Sequence, residues 1–396
     1  MSADVPFPSL DTPAILVDLD KLNANIATMA RMTSDAGLKL RPNMKVHRSA
    51  YVADLQMKAG AIGVCVSKPS EALAFADAGI KDIMIGHPFF GEHKLAVLSS
   101  LLGRVRISCV VDSLPGTEAI AGARRAAGVD VPVLIKIDTG LNRFGVSPGA
   151  PALEMARNVA GISGIELVGI LTHESASAET TPEDIEKLAF ETASTMSEVA
   201  RTLREDGIDV RDVVLGATPT ARALCRYAST FSEITEIHPG AYAFGDRMYM
   251  NSFSMSEDSC AATVLVTVIS KPAPNRICVD GGYKTFGADP MLAMAARSGG
   301  LGEWNPTFGV VQKQPDLTFG RLTEEIGILN SSGPYHGVEI GDQLAAFVTP
   351  PGDLDRGSHL VQRFDHADAQ RVEADAPKCK PRARRYDRSD KRERGR

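Results

Sequence analysis

The sequence predicts an α/β protein in which a (β/α)8, TIM-like barrel is followed by a second, mostly antiparallel β domain. Between residues 38 and 237, eight short β-rich runs alternate with helical stretches, which is typical of parallel βα units. From about Ala261 the helical periodicity largely disappears, and alternating runs with many Gly and Pro replace it. No GxGxxG segment occurs, so a closed barrel is favoured over a doubly wound sheet.

The elements of the barrel follow from local pattern. The expected strands are Leu38–Pro42, Ile62–Val66, Asp82–Gly86, Arg106–Asp112, Pro132–Asp138, Ile165–His173, Val213–Gly216 and Ile234–Ile237. Amphipathic segments between them include Ser49–Ala59, Ser70–Ala78, Ser113–Ala127 and Pro182–Asp206.

The chain divides into four expected regions. Residues 1–20 contain a strand, Ala14–Asp18, that we expect to pack with the second domain. Residues 21–255 form the barrel and residues 256–365 the β domain. Residues 366–396 form a basic tail, which we expect to be disordered because the hydrophobic pattern stops there.

Composition narrows the classes of protein. The 396 residues are 44% hydrophobic and 23% charged, which is ordinary for a globular chain. No signal peptide and no apolar run of about 20 residues is evident, and the six cysteines lack CxxC or metal-like spacing. We therefore expect a cytoplasmic protein with reduced thiols and no membrane partner.

The net charge of -6 hides an asymmetry. The last twenty residues carry ten Lys or Arg and three acidic residues, so the tail has a charge of +7 and the remainder -13. An acidic body makes nucleic acid an unsuitable main partner. The tail alone could be a nucleic-acid or membrane arm, but a disordered appendage is the better interpretation.

A lysine follows the first predicted strand, at the end where barrel enzymes place reactive groups. In RPNMKVHRS (41–49) this residue is Lys45, with His47 beside it. Partial burial at a strand end lowers the pKa of an amine, which makes it a competent Schiff-base nucleophile. The alternative is a solvated loop lysine.

An anion site is expected after the seventh and eighth strands, where phosphate sites recur in this fold. GATPTA (216–221) offers Gly216 together with the hydroxyls of Thr218 and Thr220 before a helix, and HPGAYAFGD (238–246) adds Gly240 and Tyr242. The alternative is an ordinary capped connection.

Two further candidates lie on the same rim. Arg143 in DTGLNRFGV (138–146) follows strand five and could meet a ring nitrogen or a carboxylate. His173 in LTHES (171–175) ends strand six and could stack on a flat ring or shuttle protons. Each alone is better explained as a surface arginine or a structural histidine, but together with Lys45 and the anion site they face one rim.

With these motifs in order, the sequence resembles the fold-type III enzymes that use pyridoxal 5'-phosphate (PLP), which have an alanine-racemase-like barrel. Within them it is similar to the D-threonine aldolase/D-serine dehydratase group, from DTPAILVDLDKLNANI (11–26) to about Asp342. The resemblance implies that Lys45 carries PLP, that Arg143 contacts the pyridine nitrogen, and that His173 is the strand-six histidine. GATPTA and PGAYAF match the phosphate-binding segments, while VDGGYKTFG (279–287) and RLTEEIGIL (321–329) resemble active-site strands of the second domain.

The sequence also departs from the family pattern. Asn43 and Ile326 stand where the family has histidines, and the Pro-x-His-x-Cys/Asp element that holds a divalent metal is not recognisable in AAFVTPPGDLD (345–355). Asp353 and, several residues later, His359 are the remaining candidate ligands for Mn, Mg or Zn. Two interpretations stay open: a metal-free relative, or a chain whose sequence departs from the family after about Val348.

The resemblance implies a homodimeric lyase that acts on β-hydroxy-D-amino acids, with Lys45, His47 and His173 as catalytic residues. We expect an aldolase that splits D-threonine into glycine and acetaldehyde; a D-serine or 3-hydroxyaspartate dehydratase is the alternative. Without a metal, His47 or a water would activate the substrate hydroxyl. An amino-acid racemase would need a second base such as Tyr283 or Tyr335, and a non-catalytic PLP-binding protein would not need the second domain.

Overall fold

The computed structural model describes residues 7, 10–124, 128–174, 182–251, 255–286, 307–348 and 361–364. Eight parallel strands form the first sheet: β2 (Lys39–Leu40), β3 (Val64–Val66), β4 (Asp82–Ile85), β5 (Arg106–Val111), β6 (Val131–Lys136), β7 (Ile165–Leu171), β8 (Asp212–Leu215) and β9 (Glu236–Ile237). Each lies within or beside one of the eight expected runs, so the prediction of a TIM-like barrel is confirmed.

One helix precedes the first barrel strand and the others follow the barrel strands, as parallel connections require. They are α1 (Leu19–Asp35), α2 (Ala50–Lys58), α3 (Pro69–Asp77), α4 (Glu92–Leu101), α5 (Leu114–Ala123), α6 (Ala150–Ala160), α7 (Pro182–Glu205), α8 (Ala221–Tyr227) and α9 (Arg247–Asn251), with short 3-10 helices at Met44–Val46, Ala241–Ala243 and Glu257–Ser259. Side-chain caps fix two of the starts: Asp18 accepts from the N–H groups of Asp20 and Lys21, and Ser49 accepts from that of Val52.

The first and second barrel strands are joined by irregular pairing. The sheet runs in the order β2-β9-β8-β7-β6-β5-β4-β3, so β2 and β3 are its two ends. A parallel bridge links Asn43 to Cys65, and the Cys65 N–H donates to Pro42 O at 2.9 Å. A bond of the same length runs from the Ile62 N–H to Leu40 O, so the ring of strands is closed.

The second domain is built from antiparallel strands, which confirms the other half of the predicted architecture. They are β10 (Ala262–Ala273), β11 (Arg276–Val279), β12 (Gly309–Val311), β13 (Gln314–Leu322), β14 (Gly327–Asn330) and β15 (Gln343–Val348). The order β11-β14-β13-β12-β15-β10 with an additional β10–β11 pairing closes a six-stranded barrel. β1 (Ala14–Asp18) pairs antiparallel with β10 and parallel with β16 (Val361–Phe364), so the N-terminal strand belongs to this sheet.

Charged side chains pair with one another at the amino ends of the barrel strands. The Arg41 guanidinium donates to Glu236 at 2.8 Å and to Asp82 at 2.5 Å, and Arg41 and Glu236 are both buried. Desolvation by burial opposes the charge on Arg41, but the two carboxylates outweigh it and raise the pKa of the guanidinium. This face of the barrel, which also borders a cavity of about 320 Å³, is therefore held by a buried ion-pair network.

Cysteines and helices give two further results. Within the described part of the chain the five cysteines are free thiols, and Cys65, Cys109 and Cys260 are buried. In the same part, no helix combines the length and the apolar character that crossing a bilayer would require.

Candidate active site

The floor of the barrel mouth follows from strand alternation. Met84, Val110, Leu134, Leu171 and Val214 belong to one buried cluster that fills the barrel interior. Because side chains alternate along a strand, the residues two positions later point to the same side, at the carboxyl end where barrel enzymes bind ligands. We call this set the floor; its members are Gly86, Asp112, Lys136, His173 and Gly216.

The lysine singled out by the sequence lies on a short turn above this floor. The Asn43 carboxamide caps the 3-10 helix Met44–Val46 by accepting the Lys45 N–H at 3.1 Å. A Cβ on Gly240 would lie 2.9 Å from Asn43 O. This position in the segment after β9 must therefore be glycine, because the lysine turn packs against it. The Lys45 side chain itself is exposed to solvent at the mouth.

Three cations converge at the mouth without ion-pair partners. Among the described residues, no carboxylate lies within salt-bridge distance of Lys45, Lys136 or Arg143. Desolvation, together with repulsion by Arg143, lowers the pKa of the Lys45 amine, and the same causes lower that of Lys136 to about 7. A concentration of positive charge with no carboxylate in salt-bridge contact favours an anionic ligand.

His173 lies where the sequence predicts it, on the floor between other site residues. Burial lowers the pKa of its imidazole well below the ordinary value, and the charges of Lys45, Lys136 and Arg143 act in the same direction. The ring lies 6.3 Å from that of His238, centroid to centroid. His173 is therefore neutral at pH 7.

His47, predicted as catalytic, has a different environment. It is 4% exposed, its Nδ1 accepts the Ser49 N–H at 3.1 Å, and its ring packs edge-on against Phe244. Burial lowers the pKa of His47 to about 4, and the interaction with Gln56 raises it in part. Because the ring is enclosed on the side of the turn away from solvent, this geometry favours a role in supporting the lysine turn over proton transfer to substrate.

The two segments predicted to bind phosphate lie side by side. The Thr218 hydroxyl accepts the Tyr242 N–H at 3.1 Å, and Tyr242 Oη accepts from Gln56 Nε2 at 2.9 Å. Among the described residues, the backbone N–H groups of Thr218, Gly240 and Ala241 have no acceptor, although all three residues are buried. Buried donors without partners fit an anion such as phosphate.

A carboxylate missed by the sequence argument organises one of these segments. Glu174 is 2% exposed and accepts the N–H groups of Gly216 at 3.2 Å and Ala217 at 3.1 Å, as well as the Thr220 hydroxyl. The predicted contacts of Gly216 and Thr220 with a phosphate therefore compete with Glu174. This geometry favours a supporting role for those two residues, while Thr218 and Gly240 carry two of the unpartnered N–H groups and Tyr242 follows the third, that of Ala241.

The donor set of the site fits PLP. A lysine amine of lowered pKa, unpaired cations and unpartnered N–H groups match the aldehyde, the phenolate and the phosphate of that cofactor in type. Arg143 stacks on Phe144, with its guanidinium carbon 4.6 Å from the ring centroid, at the same mouth. A flat anionic ligand held at one end by N–H groups and at the other by a lysine is compatible with every one of these features.

His87 and Lys136 are also site residues that the motif search did not single out. The His87 ring lies 5.5 Å from that of Phe144, and burial with the charges of Arg143 and Lys45 lowers its pKa to about 4. Lys136 interrupts the apolar run VPVLIK at an inward position. Lys136 lies two positions after the buried Leu134 and therefore on the same side of the strand. This alternation is the sequence signal that could have identified it.

The remaining candidates contribute less. Asp353 and His359, proposed as metal ligands, lie outside the described residues, and within those residues no group of three or more His, Cys, Asp or Glu could hold a metal ion. Tyr335 Oη donates to Gln314 at 3.0 Å and is a structural residue, while Tyr283 is 41% exposed and Ile326 lies on a turn closed by Thr323.

Two family models and several known proteins match this chain. The family model for the alanine racemase N-terminal domain matches residues 17–248, and a serine dehydratase domain model matches residues 261–349. The chain is 34% identical to a D-threonine aldolase from an Arthrobacter species over 90% of both chains. It is also 34% identical to the D-threo-3-hydroxyaspartate dehydratase of a Delftia species, over 81% of this chain and 84% of the other.

A solved structure supports the same relationship. The D-threonine aldolase from Filomicrobium marinum superposes with a TM-score of 0.77 at 26% identity, covering 91% of this chain and 93% of the other. The racemase-domain model matches more than half of the chain, and two relatives are 34% identical to it. The chain belongs to the alanine racemase-like family, in the branch that combines this barrel with a serine dehydratase-type β domain.

Proposed function

We propose that this protein is a PLP-dependent lyase that cleaves β-hydroxy-D-amino acids, in the manner of a D-threonine aldolase. The observation that carries the proposal is the convergence, at one barrel mouth, of Lys45, unpaired cations and unpartnered backbone donors. The relatives named as D-threonine aldolase and D-threo-3-hydroxyaspartate dehydratase supply the substrate class.

Lys45 is the residue we assign to cofactor attachment. Lys45 is an exposed residue of the mouth, while desolvation of its amine lowers the pKa and increases the fraction that is neutral and nucleophilic. When bound, PLP supplies an electron sink for the electrons of a bond at the substrate α-carbon. When it is not bonded to the cofactor, Lys45 Nζ would hold a proton at the mouth.

Thr218, Gly240 and Tyr242 are the residues we assign to the phosphate. Their segments are fixed to each other by the Thr218–Tyr242 contact and to the helical layer by Gln56. Glu174 holds the first segment from behind by accepting the Gly216 and Ala217 N–H groups. The phosphate site is therefore preorganised before the ligand arrives.

The substrate is oriented by cations and deprotonated by a neutral base. Arg143 at the rim is suited to bind the substrate carboxylate or, as the family resemblance implies, the nitrogen of the cofactor ring. The neutral His173 imidazole can accept the proton of the β-hydroxyl, a step required when the Cα–Cβ bond breaks to give glycine and an aldehyde. A divalent metal would assist the same step, and its ligands remain a prediction.

The test is product analysis with the purified protein loaded with PLP. D-threonine, D-serine and D-threo-3-hydroxyaspartate would be supplied with and without Mn²⁺, and aldehyde, keto acid and ammonia would be measured. Glycine with acetaldehyde from D-threonine supports the aldolase. A keto acid with ammonia shifts the assignment to a dehydratase.

Two controls separate failure modes. L-threonine should give no product, and His173→Gln should lower kcat without removing the visible absorbance of bound PLP. Racemised amino acid in place of lysis products would contradict the proposed reaction.

The predicted homodimer is checked by light scattering on the same preparation, and the cytoplasmic location remains a prediction from the sequence.

A further inference from the structure

A buried glutamine lies between the lysine turn (residues 43–48) and the two segments assigned to phosphate. Gln56 is on α2 and 1% exposed, and its Nε2 donates to Tyr242 Oη at 2.9 Å. The Tyr242 N–H in turn donates to the Thr218 hydroxyl at 3.1 Å. One end of the Gln56 amide is therefore connected to both phosphate segments.

The other end of this amide faces the lysine turn. His47 follows Lys45 by two positions, and its Nδ1 accepts the Ser49 N–H at 3.1 Å. Burial lowers the pKa of His47 to about 4, so the ring is neutral at pH 7 and carries its proton on Nε2. Gln56 raises this pKa in part, as an acceptor close to the ring does. Because Gln56 Nε2 is bonded to Tyr242, that acceptor is Oε1.

Two complementary polar atoms meet at this contact. Within the described part of the chain, His47 Nε2 and Gln56 Oε1 are both buried, and neither completes a hydrogen bond with any residue. One atom is a donor and the other an acceptor, and leaving either without a partner costs free energy. The two atoms are therefore each other's natural partners, which ties the lysine turn to Gln56.

In the proposed function, the segments that Gln56 connects hold two groups of one ligand. Lys45 bonds the aldehyde carbon, and the unpartnered N–H groups match the phosphate. Both groups are attached to one planar ring, so the distance between them can vary little. The Asn43 N–H donates to Pro239 O at 3.0 Å and joins the same segments through the backbone. A single bond would allow them to rotate against each other, and Gln56 supplies the second point of contact.

We propose that Gln56 is a positioning residue that holds the lysine turn and the phosphate segments at the separation required by PLP, an inference that rests on the proposed function. Gln56 acts through His47 and Tyr242 and need not touch the cofactor. Without it, a ligand that engages both segments must first bring them into register and binds more weakly. A ligand that engages only one segment does not meet this cost.

The experiment measures the binding of three ligands to wild type and Gln56→Met by equilibrium dialysis. The ligands are PLP, pyridoxal, which lacks the phosphate, and 4'-deoxypyridoxine 5'-phosphate, which lacks the aldehyde. Gln56→Met should bind PLP about 10-fold more weakly, while the other two ligands should bind within about twofold of their wild-type affinities. Tyr242→Phe keeps the N–H that bonds Thr218 and removes only the hydroxyl, so it should give the same pattern. The double variant should bind PLP no more weakly than either single variant, because both changes break one connection.

Gln343→Met is the matched control, because Gln343 has a similar environment on β15 in the second domain. Its Nε2 donates to Leu10 O at 3.0 Å, and its Oε1 is also buried without a hydrogen bond to a described residue. Urea denaturation should show a loss of stability in both methionine variants, whereas the affinity for PLP should fall only in Gln56→Met.

Three outcomes would overturn the inference. If folded Gln56→Met and Tyr242→Phe bind PLP like the wild type, Gln56 does not position the two segments. If pyridoxal or the deoxy phosphate loses as much affinity as PLP, Gln56 supports a single segment only. Both results leave the proposed function in place. A wild type that shows no visible absorbance with PLP would overturn the proposed function and the inference together.

Discussion

The two ends of the barrel handle charge in opposite ways. At the amino ends of the strands, buried Arg41 is bonded to both Glu236 and Asp82, and exposed pairs such as Lys39–Asp212 surround it. At the carboxyl ends, Lys45, Lys136 and Arg143 have no salt-bridge partner among the described residues. The same scaffold therefore carries a neutralised face and a face with uncompensated positive charge.

The paired charges at the amino ends serve stability, whereas the unpaired charges at the carboxyl ends serve function. Removing one member of a buried ion pair destabilises the folded protein, because the other member is left charged and unpaired in a low-dielectric interior. Unpaired buried charges reduce stability, and they are retained where a ligand of opposite charge binds to them. Substitutions at the two ends should therefore have opposite consequences for the cofactor-free protein.

The largest effect is expected at the amino-end face. Arg41→Met leaves Glu236 buried without a counterion, and the free energy of unfolding should fall by about 3–5 kcal/mol. Urea denaturation measures the loss. Lys39→Met, which removes one member of an exposed pair, should cost less than about 1 kcal/mol. Equal losses for the two variants would contradict the assignment of this network to stability.

At the mouth, replacing a charged residue should instead increase the free energy of unfolding of the cofactor-free protein. In the folded protein the pKa of Lys136 is lowered from 10.5 to about 7, so above pH 7 the unfolded chain binds the extra proton. The stability of cofactor-free wild type should rise as pH increases from about 7 toward 10.5. Lys136→Met should remove that rise and stabilise the protein at pH 7, by up to about 4 kcal/mol. A destabilised variant with an unchanged pH dependence would place Lys136 in an ordinary ion pair.

Acid should weaken the mouth through its neutral histidines. Burial lowers the pKa of His47 from 6.5 to about 4 and that of His238 to about 3, so only the unfolded state takes up protons below pH 6.5. The contribution of these two histidines to stability should therefore be complete above pH 6.5 and be lost toward pH 4, by about 3 kcal/mol for each histidine. His47→Gln should flatten the dependence measured by thermal unfolding. An unaltered slope in that variant would show that His47 is charged in the folded state.

The smallest effect is expected at the phosphate segments. Thr218→Ala removes the hydroxyl that orders Tyr242, and PLP affinity should fall by about 3- to 10-fold with little change in unfolding. Thr220→Ala acts through Glu174 and should lower stability together with affinity. Dialysis and urea denaturation on the two single variants separate these outcomes. Unchanged PLP affinity in Thr218→Ala would remove it from the phosphate site.

Much of the fold could be predicted because its signals are local. Short β-rich runs separated by amphipathic stretches located all eight barrel strands, and the loss of helical periodicity near Ala261 located the second sheet. The roles of the site residues were harder to predict from the sequence. Which side of the 3-10 turn His47 faces depends on packing against Phe244, and no spacing between His47 and Lys45 reveals it.

Lys136 and Glu174 illustrate the same limit. Each follows an apolar strand run in which a charge resembles the polar end of a strand. Only the register of the closed barrel, which sets Lys136 beside Leu171 and Glu174 behind Gly216, shows that both are buried at the mouth. Barrel closure is a long-range property, so local pattern alone could not predict these two roles.

The most direct test of Lys45 is chemical trapping of the cofactor. PLP-loaded protein would be reduced with borohydride, digested and mapped by mass spectrometry, with Lys45→Ala treated in parallel. The expected result is one phosphopyridoxyl group on the peptide that contains Lys45, and none on the variant. Labelling of Lys136, or of no lysine at all, would contradict the assignment of Lys45 as the residue that carries PLP.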